Sequence, residues 1–591
     1  MTDSPEAVAT ARAGDSESHG TDPLDQLAHM TLARATRGLS PAAAQLAWHD
    51  WALHLAISPG KRRKLLEEAF DGHRRFLNYV LRSAANPNCP NCVEPLEQDR
   101  RFEGDAWQKW PFNVIHQGFL LQQEWWQSVT SGVRGVSGQH EDMVSFAARQ
   151  WLDMLSPVNF FWTNPEVLQK TAETGGANLW RGSMNWLEDL GRILADAPPA
   201  GSEDFIVGKN VGVTPGKVVF RNHLIELIQY APATPRVYAA PVLIVPSWIM
   251  KYYILDLSPH NSMVRWLVDQ GHTVFMVSWR NPGSDDRDLG MEDYRQLGVM
   301  AALDVVGAIV PERQVNAVGY CLGGTLLAIA AAAMARDGDE RLRSMSLLAA
   351  EIDFREPGEL SLFIGESQLA FLESIMADKG YLDGWQMAGA FQLLNSQDLI
   401  WSRRTKEYLL GERRELFDLM AWNSDTTRMP ARMHSEYLRK LYLDNDFADG
   451  RYLVDGIPAV PSDIHLPVFA VGTVRDHVAP WKTVYKVHRL IGGADVTFAL
   501  TSGGHNAGVV SEPGRANRSF QIATRKHGQR FTDPDKWREE IPVQQGSWWP
   551  AWGDWLATRS SEEQVAPPSM GATKAGLAPL GDAPGTYVLE R

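Results

Sequence analysis

The stretch Val315-Asn-Ala-Val318-Gly319-Tyr320-Cys321-Leu322-Gly323-Gly324-Thr325-Leu-Leu-Ala-Ile-Ala-Ala-Ala-Ala-Met334 changes character twice. Val315–Val318 reads as a short buried strand, and Thr325–Met334 as a helix of strong helix formers. Between them lies Gly319-x-Cys321-x-Gly323, the spacing of the nucleophile elbow G-x-S-x-G with sulfur in place of the hydroxyl. A strand that turns straight into a helix crowds its own backbone, and glycines two residues either side of Cys321 relieve that crowding. The turn lifts the sulfur to the end of the sheet and sets it beside a helix N-terminus, which favours the thiolate. By itself the motif also fits an inert cysteine packed as a small core residue.

The surroundings of the elbow narrow the choice. Upstream, apolar β-rich runs at Lys217-Val-Val-Phe220, Leu224-Ile-Glu-Leu-Ile228, Val242-Leu-Ile-Val245 and Thr273-Val-Phe-Met-Val277 alternate with helical stretches such as 293–309. Alternation of this kind predicts a mostly parallel sheet covered by helices, the α/β-hydrolase fold once the elbow is included. In that fold the acid and base follow the nucleophile in chain order, each on a loop after a strand. Leu466-Pro-Val-Phe-Ala-Val471 is followed by Asp476, and Val496-Thr-Phe-Ala-Leu500 by Gly504-His505. The expected triad is therefore Cys321, Asp476 and His505. His477 competes for the base, but its adjacency to Asp476 makes it awkward for both to serve one triad. The oxyanion hole is expected from the backbone N–H of Leu322 and that of Trp248 or Ile249, on the loop Pro246-Ser-Trp-Ile-Met-Lys251.

Composition bounds the rest. The chain has 591 residues, 44% of them hydrophobic, enough for a large core and more than one domain. Its net charge of −14 argues against general nucleic-acid binding. Three cysteines, Cys89, Cys92 and Cys321, fit a reducing compartment, and the acidic N-terminus lacks the features of a signal peptide. Cys89-Pro-Asn-Cys92 has no second pair to complete a zinc site, so no metal is expected. The longest apolar stretch, 326–335, falls short of the roughly 20 residues a membrane span needs.

Residues 1–28 read as a disordered arm and 29–200 as an α-helical N-terminal domain, with Trp48, Trp51, Ala52 and Leu55 recurring at helical spacing. The α/β domain is expected over 202–558, interrupted by a helical cap at about 352–455 that contains Trp385, Trp401 and Trp422. The tail 559–591 reads as loosely ordered. The 22 tryptophans suit core packing, or a surface that touches a greasy product.

At these residues the chain resembles class I polyhydroxyalkanoate synthases. The likeness runs through Asp99-Arg-Arg-Phe102, Gly104-Asp-Ala-Trp107, Thr163-Asn-Pro-Glu166, Lys251-Tyr-Tyr-Ile-Leu-Asp-Leu257, Ser278-Trp-Arg-Asn-Pro282, the elbow, Asp398-Leu-Ile-Trp401, Asp476-His477, Gly504-His505 and Gly546-Ser-Trp-Trp-Pro550. It implies an enzyme that polymerises (R)-3-hydroxyacyl-CoA, with 3-hydroxybutyryl-CoA the expected monomer, into polyester through a Cys-thioester. Coenzyme A enters as part of the substrate and leaves as product, so no resident cofactor is implied. The resemblance also implies a homodimer at the surface of cytoplasmic polymer granules, with granule-associated proteins as further partners. A cysteine thioesterase or polyester depolymerase of the same fold is the nearest rival, and a non-catalytic granule-binding protein the more distant one.

Overall fold

The computed structural model describes residues 23–591 apart from 37, 87–88, 97–98, 196, 385, 388–395, 397–399 and 561–563. The expected arm therefore lies outside the described residues up to 22. Its last residues depart from expectation, because Pro23–Thr36 is a helix. His29 on that helix reaches Ser374 of the cap at 3.1 Å, an anchor that composition alone does not reveal.

The N-terminal region is mainly helical, from Pro23–Thr36 to Ala177–Leu194. Ser40 caps Pro41–Ala56 by accepting from the Ala43 N–H, and a proline at the first turn forfeits no hydrogen bond there. Trp51 on this helix is buried with Ala47, Leu65, Val129 and Val144, and its indole N–H donates to the Val129 carbonyl at 3.1 Å. These helices grip the cap segment. Ser40 N–H donates to Gln368 Oε1 at 2.8 Å, and Gln368 returns a bond to the Gly38 carbonyl at 2.7 Å.

One large sheet dominates the remainder. Its strands are β1 (Gly216–Arg221), β2 (Ile225–Tyr230), β3 (Val242–Val245), β4 (Val274–Trp279), β5 (Val315–Tyr320), β6 (Leu342–Leu348), β7 (Val468–Thr473), β8 (Val496–Thr501), β9 (Ser519–Arg525), β10 (Gln544–Gln545) and β11 (Gly581–Asp582). Across the sheet they run β10-β9-β8-β7-β6-β5-β3-β4-β2-β1-β11. The block from β4 to β8 is parallel, and the strands outside it pair antiparallel. Period-2 alternation sends neighbouring residues to opposite cores. Leu243, Val245, Ala317 and Leu347 face the elbow helix Leu322–Asp337, whereas Ile244, Val318, Leu348 and Phe469 face the helix Trp549–Ala557. Both faces are covered, which is why the central strands are buried at nearly every position.

Tryptophans divide by location. Trp548, Trp549 and Trp552 are fully buried, and their indole N–H groups donate to Gly508 O at 3.0 Å, Val509 O at 2.9 Å and Ser346 Oγ at 3.0 Å. The first two brace the loop after β8, and Trp552 holds β6. Trp48, Trp110, Trp126, Trp151, Trp162, Trp180 and Trp186 are exposed, and all precede the sheet. Between β6 and β7 the described residues are largely helical, as in Glu366–Lys379, Asp418–Asn423 and Ala431–Tyr437. Trp422 is buried there and Trp401 is partly exposed; Trp385 lies outside the described residues.

The tail corrects the sequence expectation. Rather than loose, residues beyond 563 lie along the sheet edge: β11 pairs with β1, Val588 is buried, and the Lys251 ammonium donates to the Glu590 carbonyl at 2.6 Å. The tail lacks hydrophobic periodicity because backbone groups hold it. The fully buried Glu226 carboxylate accepts from the Thr586 and Tyr587 N–H groups at 2.8 and 3.0 Å and pairs with Arg221. Replacing Glu226 with Ala should cost about 2–4 kcal/mol by stranding these donors. Thermal melting and limited proteolysis check this; tail cleavage as slow as in wild type would refute the anchoring.

Candidate active site

Cys321 must leave β5 and enter the elbow helix within one residue, and it does so at φ +52°, ψ −127°. A non-glycine residue with positive φ costs on the order of 1–3 kcal/mol and persists only where its neighbours over-determine it. Here the Cys321 N–H donates to Leu348 O of β6 at 2.9 Å, and its carbonyl accepts from Gly324 N–H at 2.8 Å. A Cβ at Gly319 would run into the Gly324 backbone, and one at Gly323 into the Val245 and Pro246 carbonyls. The two glycines of the motif are thus required by close approach.

Asp476 follows β7 with its carboxylate wholly buried. One oxygen accepts from the Val478 and Ala479 N–H groups at 2.9 and 2.8 Å, and the other from the Thr473 hydroxyl at 2.9 Å. His505 opens the short helix His505–Val509 after β8, with Nδ1 at 2.9 and 3.1 Å from the two Asp476 oxygens. The adjacent Asn506 accepts from the Tyr320 hydroxyl at 2.5 Å, which ties the histidine loop to the residue preceding Cys321. His477 is exposed, so the described geometry brings together Cys321, Asp476 and His505 and leaves His477 outside.

The electrostatics follow from this packing. Burial alone would depress the His505 pKa, but the Asp476 carboxylate and the Cys321 sulfur overcome it and raise the imidazole well above its ordinary value. Burial likewise opposes the Asp476 charge, yet His505 and the two backbone N–H donors win and lower its pKa. The arrangement can move a proton between Cys321 and His505 while a fixed carboxylate holds the ring tautomer.

The N–H groups of Trp248, Ile249 and Leu322 donate to no group among the described residues. Trp248 is fixed from behind, its carbonyl accepting from Thr427 Oγ1 at 2.8 Å. The cap closes over this loop: Trp422 Nε1 donates to Lys251 O at 2.7 Å, and the Tyr437 ring lies 6.5 Å from that of Trp248. Tyr437, buried, and Tyr442, partly buried, lie hydroxyl to hydroxyl at 3.0 Å and close enough to Cys321 to interact with it. Glu351, just past β6, belongs to the same enclosure and falls outside every motif; its one sequence signal is a carboxyl placed directly after a strand of the sheet.

Away from this centre, Cys92 Sγ donates to Gln117 Oε1 at 3.2 Å, and burial pushes its thiol up. Among the described residues no cluster of three His, Cys, Asp or Glu side chains could hold a metal ion. No described helix is long and apolar enough to cross a membrane.

Comparison with known proteins places the chain. The family profile described as alpha/beta hydrolase fold matches residues 240–509. Profiles described as Poly-beta-hydroxybutyrate polymerase (PhaC) N-terminus and Poly-beta-hydroxybutyrate polymerase N terminal match residues 98–267 and 19–61. The Poly(3-hydroxyalkanoate) polymerase of Methylorubrum extorquens is 42% identical over 84% of this chain and 81% of its own length. The Poly(3-hydroxyalkanoate) polymerase subunit PhaC of Rhizobium meliloti is 38% identical over 83% and 80%, and that of Cupriavidus necator 36% over 83% and 83%. Among solved structures, a Paleococcus ferrophilus monoacylglycerol lipase is 12% identical at a TM-score of 0.32, over 57% of this chain and 99% of its own. Sharing at least 36% identity with these polymerases over four-fifths or more of their lengths, the chain belongs to the poly(3-hydroxyalkanoate) polymerase family, built on the α/β-hydrolase fold.

Proposed function

We propose that this chain polymerises (R)-3-hydroxyacyl-CoA by carrying the acyl group on Cys321, with His505 as general base and acid and Asp476 as its orienting carboxylate. The observation that carries the reading is the His505 Nδ1 contact at 2.9 Å to a buried Asp476, beside the strained Cys321. His505 takes the thiol proton, and the thiolate attacks the thioester carbonyl. The oxyanion faces the free N–H of Leu322 and that of Trp248 or Ile249. Collapse expels coenzyme A, which leaves with the proton from His505, and Cys321 holds the acyl group as a thioester. The 3-hydroxyl of another acyl unit or chain end then attacks, His505 takes its proton, and an ester forms as the thiol is restored.

Sulfur suits this cycle because thioester exchange keeps the acyl group activated for its next transfer, whereas a serine ester would lose that driving force. The harder demand is to admit a hydroxyl and exclude water. The cap over Cys321, with Tyr437 and Trp248 buried and Tyr442 partly buried about it, supports a dry enclosure. At the level of the cell, the proposal includes a homodimer working at cytoplasmic granules of its own polyester. The exposed Trp151, Trp162, Trp180 and Trp186 of the N-terminal region support an apolar contact surface for it.

The decisive assay supplies 3-hydroxybutyryl-CoA and measures released coenzyme A beside insoluble polymer and free acid. Polymer in step with coenzyme A is expected; free acid instead of polymer would make the chain a thioesterase. Cys321→Ala should abolish release, and unchanged release would end the covalent reading. Asp476→Asn should slow turnover by about 10²–10⁴-fold, as expected when a histidine loses the carboxylate that sets its tautomer. It should also move the pH at which His505 loses its proton downward, since the raising influence of Asp476 is gone. The pH dependence of Cys321 alkylation reads this directly; an unshifted profile would count against the pairing. Trp422→Phe removes the cap's bond to Lys251 O, worth about 1 kcal/mol, and should raise free acid relative to polymer.

A further inference from the structure

Glu351 is buried to 4% exposure at the strand ends, and its Oε1 has no hydrogen-bond partner. The backbone that places it is tightly held. Leu348 O accepts from Cys321 N–H, Ala349 N–H donates to Val471 O, and the Glu351 carbonyl accepts from Thr325 Oγ1 of the elbow helix at 2.7 Å. The residue is thus fixed between the nucleophile strand and the acid strand, near enough to Cys321, Asp476 and His505 for each to act on its charge. It does not orient the histidine, because Asp476 already occupies Nδ1 with both oxygens. A buried polar group without a partner costs stability, and in a native structure it calls for an explanation.

A short 3-hydroxyacyl group entering this enclosure brings two polar positions, the thioester carbonyl and the 3-hydroxyl. The carbonyl oxygen turns toward the free N–H groups at Leu322 and at Trp248 or Ile249. The 3-hydroxyl needs a partner that can donate and accept. Building on the proposal that Cys321 carries the acyl group, we propose that the Glu351 carboxyl receives the 3-hydroxyl of the acyl unit and so makes the site select hydroxylated acyl groups.

The charge state fits that task. Burial, then Asp476 and Cys321, hold the carboxyl well above the carboxylate range, against His505 and Lys486, and the neighbouring Tyr437 and Tyr442 are neutral phenols. A neutral acid both donates and accepts, as a hydroxyl partner requires.

The test uses the full-length protein in excess over (R)-3-hydroxybutyryl-CoA or butyryl-CoA and measures first-turnover release of coenzyme A. Wild type should favour the hydroxylated substrate. Glu351→Leu should collapse the ratio of the two rates by about 10-fold or more, since a site built to bind a hydroxyl discriminates through that bond. Glu351→Gln keeps an N–H donor and should restore most of the ratio. Equal losses on both substrates, or an unchanged ratio in Glu351→Leu, would overturn the assignment. Glu351→Met supplies the same comparison if the leucine variant fails to fold. Cys321→Ala in the same assay reports on the nucleophile separately: continued release would remove Cys321 from its role, while the substrate ratio still reads Glu351.

Discussion

The one-residue turn at Cys321 is the constraint on which the rest of the structure depends. A side chain held at φ +52° cannot be stabilised by its own preference, so its neighbours must enforce it. β6 does so through Leu348 O, and the elbow helix through Gly324 N–H. The close approach of that helix to β3 at Gly323 admits no side chain. Each restraint also has a chemical result. The same packing that strains the backbone brings the start of the elbow helix against the loop after β3.

From that fixed point the loops after β7 and β8 have only to bring Asp476 and His505 within a hydrogen bond. Parallel pairing of β6, β7 and β8 delivers their carboxyl ends to one edge, as open α/β sheets do. Trp548 and Trp549 then pin the histidine loop by donating to Gly508 and Val509. Two indoles bonded to consecutive carbonyls hold a short helix more firmly than its own length can. The tryptophan-rich segment is therefore best understood as support for His505.

Much of this was legible in the sequence because local rules and global fold agree. The elbow spacing, the apolar strands and the order Cys321, Asp476, His505 each carry a signal that does not depend on distant residues. What escaped reading depends on long-range pairing. The tail beyond 563 is broken by Pro and Gly and has no hydrophobic period, and it is held by Glu226, some 360 residues away in sequence, through backbone donors that every residue but proline possesses. Glu351 likewise looks like any loop carboxylate until the fold buries it. The helix at Pro23–Thr36 gains its partner in the cap, at Ser374, rather than from its own periodicity.

Charge balance in the enclosure joins these features. Asp476 gains stability from its partners above its unfolded pKa and loses it as pH falls through the lowered folded value. His505, raised by the same pair, contributes most below its unfolded pKa and loses that contribution as pH rises through the folded value. The pair is therefore fully stabilising between the two shifts, in the mildly acidic window above the ordinary carboxylate range and below the ordinary imidazole pKa. Asp476 and His505 already pair a buried carboxylate with the imidazole that faces it. A further negative charge, on Glu351, would lie buried near Asp476 with no hydrogen bond to its Oε1. Burial, with Asp476 and Cys321 nearby, favours the neutral carboxyl of Glu351, and a neutral acid is the form that can both donate to and accept from a hydroxyl.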